Sequence, residues 1–117
     1  MRELKFRAWD ESDEENGAYM LGPYDLADSI FNYNDIRSLK LMQFTGLQDK
    51  NGTDIYEGDI VRLEEGFSPR NRPIVFTEYG SWSIGELGIL IGQMKADGVV
   101  HCEIIGNIHQ NPELINN

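Results

Sequence analysis

Apolar residues recur at every second position over several short stretches of this chain, and Gly, Asn and Pro separate those stretches. Successive side chains of a strand point to opposite faces, so this spacing predicts half-buried strands. Near the start, Leu4, Phe6 and Ala8 alternate with Lys5, Arg7 and Trp9. Over Ser38–Thr45, Leu39 and Leu41 fall on one face and Met42 and Phe44 on the other. Apolar residues on both faces predict an interior strand or a barrel wall. In Ile55–Leu63, Gly58-Asp59 predicts a tight bend feeding a strand. There Val61 and Leu63 face one way and Ile60 and Arg62 the other. Ile74–Tyr79, a stretch opening at Trp82, and Val99–Ile105 complete the set.

Asn51-Gly52, Gly80-Ser81 and Asp97-Gly98 predict the reversals, because Asn, Asp and Gly tolerate the backbone angles of tight turns. Glu64 to Arg72 is polar and holds Gly66 and Pro69, which predicts a loop. Asp10–Gly17 is a dense acidic stretch ending in Asn-Gly, a solvated loop. Pro23–Phe31 breaks the pattern. Leu26, Ile30 and Phe31 share one helical face and Asp25 can cap it, so a short helix is expected near residues 25–31. About six or seven short strands at intervals of roughly ten residues predict a mainly β fold, a small barrel or strongly bent sheet. Phe44, Val61 and Ile104 should share its interior, and Ile108 and Leu114 should anchor the closing turn. With 117 residues and no dividing linker, residues 1–117 are expected to form a single domain.

Charge narrows the function. Ten basic and twenty acidic residues give −10. A chain so acidic repels phosphate backbones, so direct nucleic-acid binding through a broad basic face is not expected. Basic protein surfaces are the favoured partners. No apolar run reaches the length of a membrane span and no signal-like segment opens the chain, so a cytoplasmic, membrane-free protein is expected. Cys102 is alone, which excludes an internal disulfide. It lies in an apolar stretch and reads as a small core side chain, with His101 pointing the other way.

Candidate chemistry is sparse. His101, Cys102 and His109 lack paired zinc-ligand spacing, and no nucleophile-elbow or phosphate-loop pattern occurs. An EF-hand loop starting at Asp10 would need Gly at 15 and Glu at 21, where the chain has Glu15 and Leu21. Asp49–Asp54 fails likewise, with Asp54 at the sixth position and Ile60 at the twelfth. No metal or cofactor is therefore expected. Glu57 and Asp59 stand at i, i+2 and could share one strand face as a carboxylate pair. The structural alternative has Asp59 accepting backbone N–H groups in the turn and Glu57 exposed.

Three stretches carry a resemblance: Lys5-Phe6-Arg7-Ala8-Trp9-Asp10; Met42 to Gly52 running into Ile55 to Val61; and Ile104 to His109 with Asn111 to Leu114. In sequence and order they resemble the YopX family. Trp9 marks the first motif. Thr45, Gly46, Leu47, Asp49 and Gly52 mark the second, which continues through Tyr56, Glu57, Gly58 and Asp59. Gly106, Asn107, Asn111 and Pro112 mark the third. The resemblance implies an accessory protein of phages or prophages without an assigned activity, with an SH3-like barrel element and a tendency to self-associate. It carries over no catalytic residue. Residues 64–98 match only loosely and are the expected home of anything particular to this chain. The expected role is a non-enzymatic protein-interaction or self-assembling module, a homo-oligomer or a binder of a host or phage protein. The alternative is an acidic nucleic-acid mimic that inhibits a host DNA-binding protein.

Overall fold

The computed structural model describes residues 5–11, 17–25, 39–63, 70–85 and 101–115. The chain forms two compact units, Met1–Phe44 and Thr45–Asn117. Every strand pairing with a resolved register is antiparallel, and the mainly β expectation holds.

In the first unit, β1 (Lys5–Asp10) lies between β2 (Tyr19–Asp25) and the first half of β3 (Leu39–Gln48). The pairing of β1 with β2 slips between Phe6↔Tyr24 and Ala8↔Leu21, which leaves one extra residue on β2 at Gly22-Pro23. Bulges accommodate residues that a regular ladder rejects. Gly22 has φ +110, and a Cβ there would lie 3.0 Å from the Phe6 carbonyl oxygen and 3.1 Å from Arg7 Cα. Ala8, Trp9, Met42 and Phe44 are buried. The Trp9 indole N–H donates to Glu11 Oε1 at 3.0 Å, and Lys40 Nζ lies 3.4 Å from the same oxygen. Lys5 Nζ stands 4.5 Å from the centre of the Phe44 ring, a cation–aromatic contact.

Two expectations change here. Leu41 is 43% exposed, whereas Met42 and Phe44 are buried. Of the helix expected near residues 25–31, Asp25 ends β2 and the remainder lies outside the described residues.

In the second unit, the end of β3 turns through Asp49–Thr53 into β4 (Asp54–Tyr56), and a two-residue turn leads to β5 (Asp59–Leu63). β6 (Arg70–Phe76), β7 (Trp82–Ile84) and β8 (Glu103–Asn107) complete a sheet of order β7-β6-β5-β8. A 3-10 turn follows at Pro112–Leu114. The core is Ile55, Val61, Leu63, Ile74, Ile84 and Cys102, with Leu47, Trp82 and Ile104 packed against it. Val61 and Ile104 thus share an interior as expected, whereas Phe44 is buried in the first unit.

β5 keeps its predicted alternation in part. Arg62 is exposed, but Ile60 and Val61 are both fully buried. The ladder with β8 shifts between these two residues, with Ile60 opposite Gly106 and Val61 opposite Ile104. β6 begins at Arg70, inside the stretch expected to be loop, and ends at Phe76 instead of Tyr79. Arg72 pairs with Val61 and lies against Gly85, where a Cβ would stand 3.3 Å from the Arg72 Cβ and Cδ. A long methylene stem lets a charged residue occupy a strand position beside a core. The strand expected over Val99–Ile105 corresponds to β8, which begins at Glu103 and ends two residues beyond Ile105; residues 86–100 lie outside the described set.

Replacing Gly22 by Ala should lower stability by about 2–3 kcal/mol, since it combines left-handed backbone strain with a clash against main-chain atoms. Gly17→Ala should cost only about 1 kcal/mol, because Gly17 has a positive φ but open space around it. Urea midpoints of the two variants compare them directly.

Candidate functional site

The second and third sequence motifs converge in the second unit, and one carboxylate joins them. Asp49 is 1% exposed and closes the β3–β4 turn. Its Oδ1 accepts the backbone N–H groups of Asn51 and Thr53, each at 2.9 Å. Its Oδ2 accepts the N–H of Ile104 in β8 at 3.0 Å. The Lys50 N–H donates to the Cys102 carbonyl at 3.0 Å, and Lys50 Nζ lies 3.7 Å from Glu103 Oε2. Burying a carboxylate is costly unless donors surround it, and here the main chain supplies three. Within the turn, Gly52 N–H donates to the Asp49 carbonyl at 3.0 Å, as the Asn51-Gly52 pair predicts.

Thr45 and Gly46 shape the strand before this turn. Thr45 Oγ1 donates to the Ile55 carbonyl at 2.7 Å and accepts the Leu47 N–H at 3.2 Å. Gly46, at φ +87, lets the chain pass between those two bonds, and Leu47 then packs on the core. The Tyr56–Asp59 turn repeats the device of Asp49 on a smaller scale. Asp59 Oδ2 accepts the Tyr56 N–H at 2.8 Å, and both residues are buried. Asp59 therefore has the turn-holding geometry weighed for it. Glu57 lies in the turn and Asp59 opens β5, so the two do not project from one strand. Gly58 N–H donates to the Ile74 carbonyl, and the Gly58 carbonyl accepts the Ile108 N–H at 2.8 Å. Ile108 thus anchors the C-terminal segment through its backbone; its side chain, expected to be buried, is exposed.

The third motif is a ring of side-chain amides. Asn107 stands opposite Asp59 in the β5–β8 ladder. Its Oδ1 accepts the N–H groups of His109 and Gln110 at 3.0 and 2.9 Å, and its Nδ2 donates to Gln110 Oε1 at 2.7 Å. Asn111 Oδ1 accepts the Asn107 N–H at 3.2 Å. The Asn111 side chain lies so close over Gly106 that a Cβ there would fall 2.5 Å from Asn111 Oδ1. Pro112 opens the 3-10 turn. Asn71, which no sequence pattern singles out, donates from Nδ2 to the Leu114 carbonyl at 2.9 Å and holds the end of that turn. Trp9, from the first motif, is buried in the first unit.

Cys102 sits in the core, as expected, and His101 is exposed. Burial, and then the negative charges of Asp49 and Asp59, push the thiol up from 9.0 to about 12. Such a thiol carries almost no thiolate at neutral pH and is a poor nucleophile. Among the described residues, no group of three or more His, Cys, Asp or Glu is placed to hold a metal ion. No helix among them is long and apolar enough to cross a membrane.

A small antiparallel β protein, tied by side-chain-to-backbone bonds at three turns, is the class these features define. Residues 5–116 match the model of the YopX protein family, and the chain belongs to that family. It is also similar in structure to protein EF1440 from Enterococcus faecalis, known from a crystal structure. The TM-score is 0.56 at 26% sequence identity, covering 97% of this chain and 98% of that one. No curated protein matches it.

Two outcomes are expected. Asp49→Ala should destabilise the protein by about 2–4 kcal/mol, because three amides lose a charged acceptor, one of them on β8. Asp49→Asn should recover only part of the loss, since its amide group cannot accept at both ends; denaturant titration of both variants measures this. The second outcome is alkaline. Between pH 9 and 12 the unfolded chain releases the Cys102 proton while the folded chain keeps it, so stability falls as pH rises through that window. Cys102→Ala should show a shallower decline of the urea midpoint over the same range.

Proposed function

We propose that this chain is a non-enzymatic protein-interaction module, encoded by a phage or prophage and acting in the cytoplasm of a bacterial host. One observation carries the reading. Polar side chains of the family motifs, from Thr45 to Asn111, are engaged with backbone in the turns at Asp49, Asp59 and Asn107, while large apolar side chains stand exposed on the β6–β7 hairpin. Asp49, Asp59, Asn107 and Asn111 each accept a main-chain N–H. Val75, Phe76 and Tyr79 are exposed. Aromatic side chains displayed on ordered structure are typical of interface centres. Self-association is one form the interaction can take, through a sheet edge that pairs with a second copy. The reading needs no cofactor.

The −10 charge favours a second reading, an acidic mimic of nucleic acid that occupies a basic host protein. The two differ in their response to salt. The immobilised chain is exposed to bacterial lysate and to its own soluble form, then eluted in salt steps, with the proteins identified by mass spectrometry. An interaction module should keep a distinct partner, or its own copies, beyond physiological salt, because apolar contacts survive screening. A mimic should release basic nucleic-acid-binding proteins steeply as salt rises. Retention of nothing at any salt, together with a monomeric mass by light scattering at high concentration, would end the first reading.

A further inference from the structure

The end of the β6–β7 hairpin is an aromatic tip on a hydrogen-bonded turn. Phe76 and Trp82 are paired across the two strands, with ring centres 4.8 Å apart at an interplanar angle of 60°. Deeper in the hairpin, Ile74 pairs with Ile84 and both are buried, so the same face runs from the core outward into solvent. Phe76 is 54% exposed and Tyr79 87% exposed. The turn between them is well fixed. Thr77 N–H donates to the Ser81 carbonyl at 2.8 Å and Gly80 N–H to the Thr77 carbonyl at 3.0 Å. Thr77 Oγ1 lies 3.0 Å from Ser81 Oγ and accepts the Tyr79 and Ser81 N–H groups at 3.3 and 3.4 Å. Tyr79 is thus displayed on a preformed turn, and a preformed surface loses less entropy on binding.

Charge selects the occupant. From Pro73 to Gly85 the chain has no Lys, Arg or His, and its one charged residue is Glu78; Arg72 lies against Gly85 at the base of the hairpin, the end opposite the turn. A second copy would bring the same carboxylate and another −10, and a nucleic acid would bring phosphates, so both are disfavoured at this hairpin end, whatever pairs at a sheet edge elsewhere. A cation meets the opposite case. The long-range field attracts it, the negative faces of the Phe and Tyr rings hold it, and Glu78 supplies a counter-charge. Arginine suits such a surface better than lysine, because its flat, weakly hydrated guanidinium stacks on aromatic rings while bonding a carboxylate.

We propose that the β6–β7 hairpin end, with Phe76, Tyr79 and Glu78, is the docking site for an arginine-bearing segment of a protein partner. This rests on the interaction-module reading and names its surface and the chemistry of its partner.

The probe is a short fluorescein-labelled peptide alternating arginine and glycine, compared with lysine–glycine and glutamate–glycine versions. Binding is read at physiological salt by anisotropy and by Trp fluorescence. The arginine peptide should bind, the lysine peptide more weakly and the glutamate peptide not at all. Tyr79→Ser and the double variant Phe76→Ser/Tyr79→Ser should weaken the arginine peptide by about tenfold or more. Tyr79 is almost fully exposed, so its single variant keeps the test valid if the double variant fails to fold. Glu78→Gln should weaken binding about two- to fivefold. Equal affinity in Tyr79→Ser and wild type would overturn the proposal, since simple charge attraction ignores the rings. So would binding of the glutamate peptide, or a dimer in light scattering that Tyr79→Ser abolishes. The salt-stepped capture separates the two levels. A partner retained equally by wild type and Tyr79→Ser removes the hairpin but leaves the interaction module standing, whereas no retained partner removes the module itself.

Discussion

Asp49 is the constraint on which the second unit depends. A carboxylate this deeply buried is tolerated only where donors replace water, and the chain provides two from its own turn and one from β8. The two turn donors fix the reversal between β3 and β4. The third lies 55 residues away in sequence and fixes where β8 enters the sheet. Once β8 is placed, its register against β5 sets Asp59 opposite Asn107. That brings the Gly58 carbonyl to the Ile108 N–H and starts the amide-bonded turn that ends the described chain. Local turn chemistry and long-range strand pairing are thus decided by one side chain. In the order β7-β6-β5-β8 only the β5–β8 pairing joins described strands that do not follow one another in the chain, so a tie that places β8 counts for more than one inside a hairpin.

The same arrangement gives the polar residues of these motifs a structural role. The apolar requirement of the core is loose, because any side chain of roughly suitable size fills Val61 or Ile74 with modest loss. The requirement at the turns is strict. Thr45 must both donate and accept, Asp49 must accept at both oxygens, and Gly106 must leave room for Asn111. Few other residue types satisfy these geometries. A motif of Thr, Gly, Asp and Asn can look like a binding site in sequence and still be a set of backbone clamps. The failed calcium-loop match at Asp49 is a case in point: the carboxylate serves N–H groups, where a cation would need it free.

Much of this was legible before the fold was known, and the misses share a physical cause. Alternation located β1, β3, β5 and β7, and the Asn-Gly and Gly-Ser pairs located their turns, because those signals are local. The start of β6 was hidden because Arg70-Asn71-Arg72 reads as loop by polarity. Its strand geometry comes from pairing with β5, and Arg72 contributes its methylenes rather than its charge. Leu41 departs from expectation because period-two spacing says which residues share a face, not whether anything covers each of them. The clamps at Asp49 and Asn107 were visible as motif residues. Their partners were not, because an acceptor 55 residues from its donor leaves no trace in a single sequence.

The division between engaged polar groups and displayed aromatic ones also bears on what the protein can do. A reacting group must be accessible and chemically poised. Asp49 and Asp59 are buried with their oxygens turned to the main chain, and Cys102 holds its proton well above neutral pH. Recruiting any of them for chemistry would release the turn or strand it supports, so activity and folding would compete for the same atoms. The hairpin tip has no such conflict. Thr77 and Ser81 hold it through their own bonds, and Tyr79, almost fully exposed, can change without unmaking the core beneath. Surface that is ordered yet independent of the fold's clamps can vary with a partner from one family member to another.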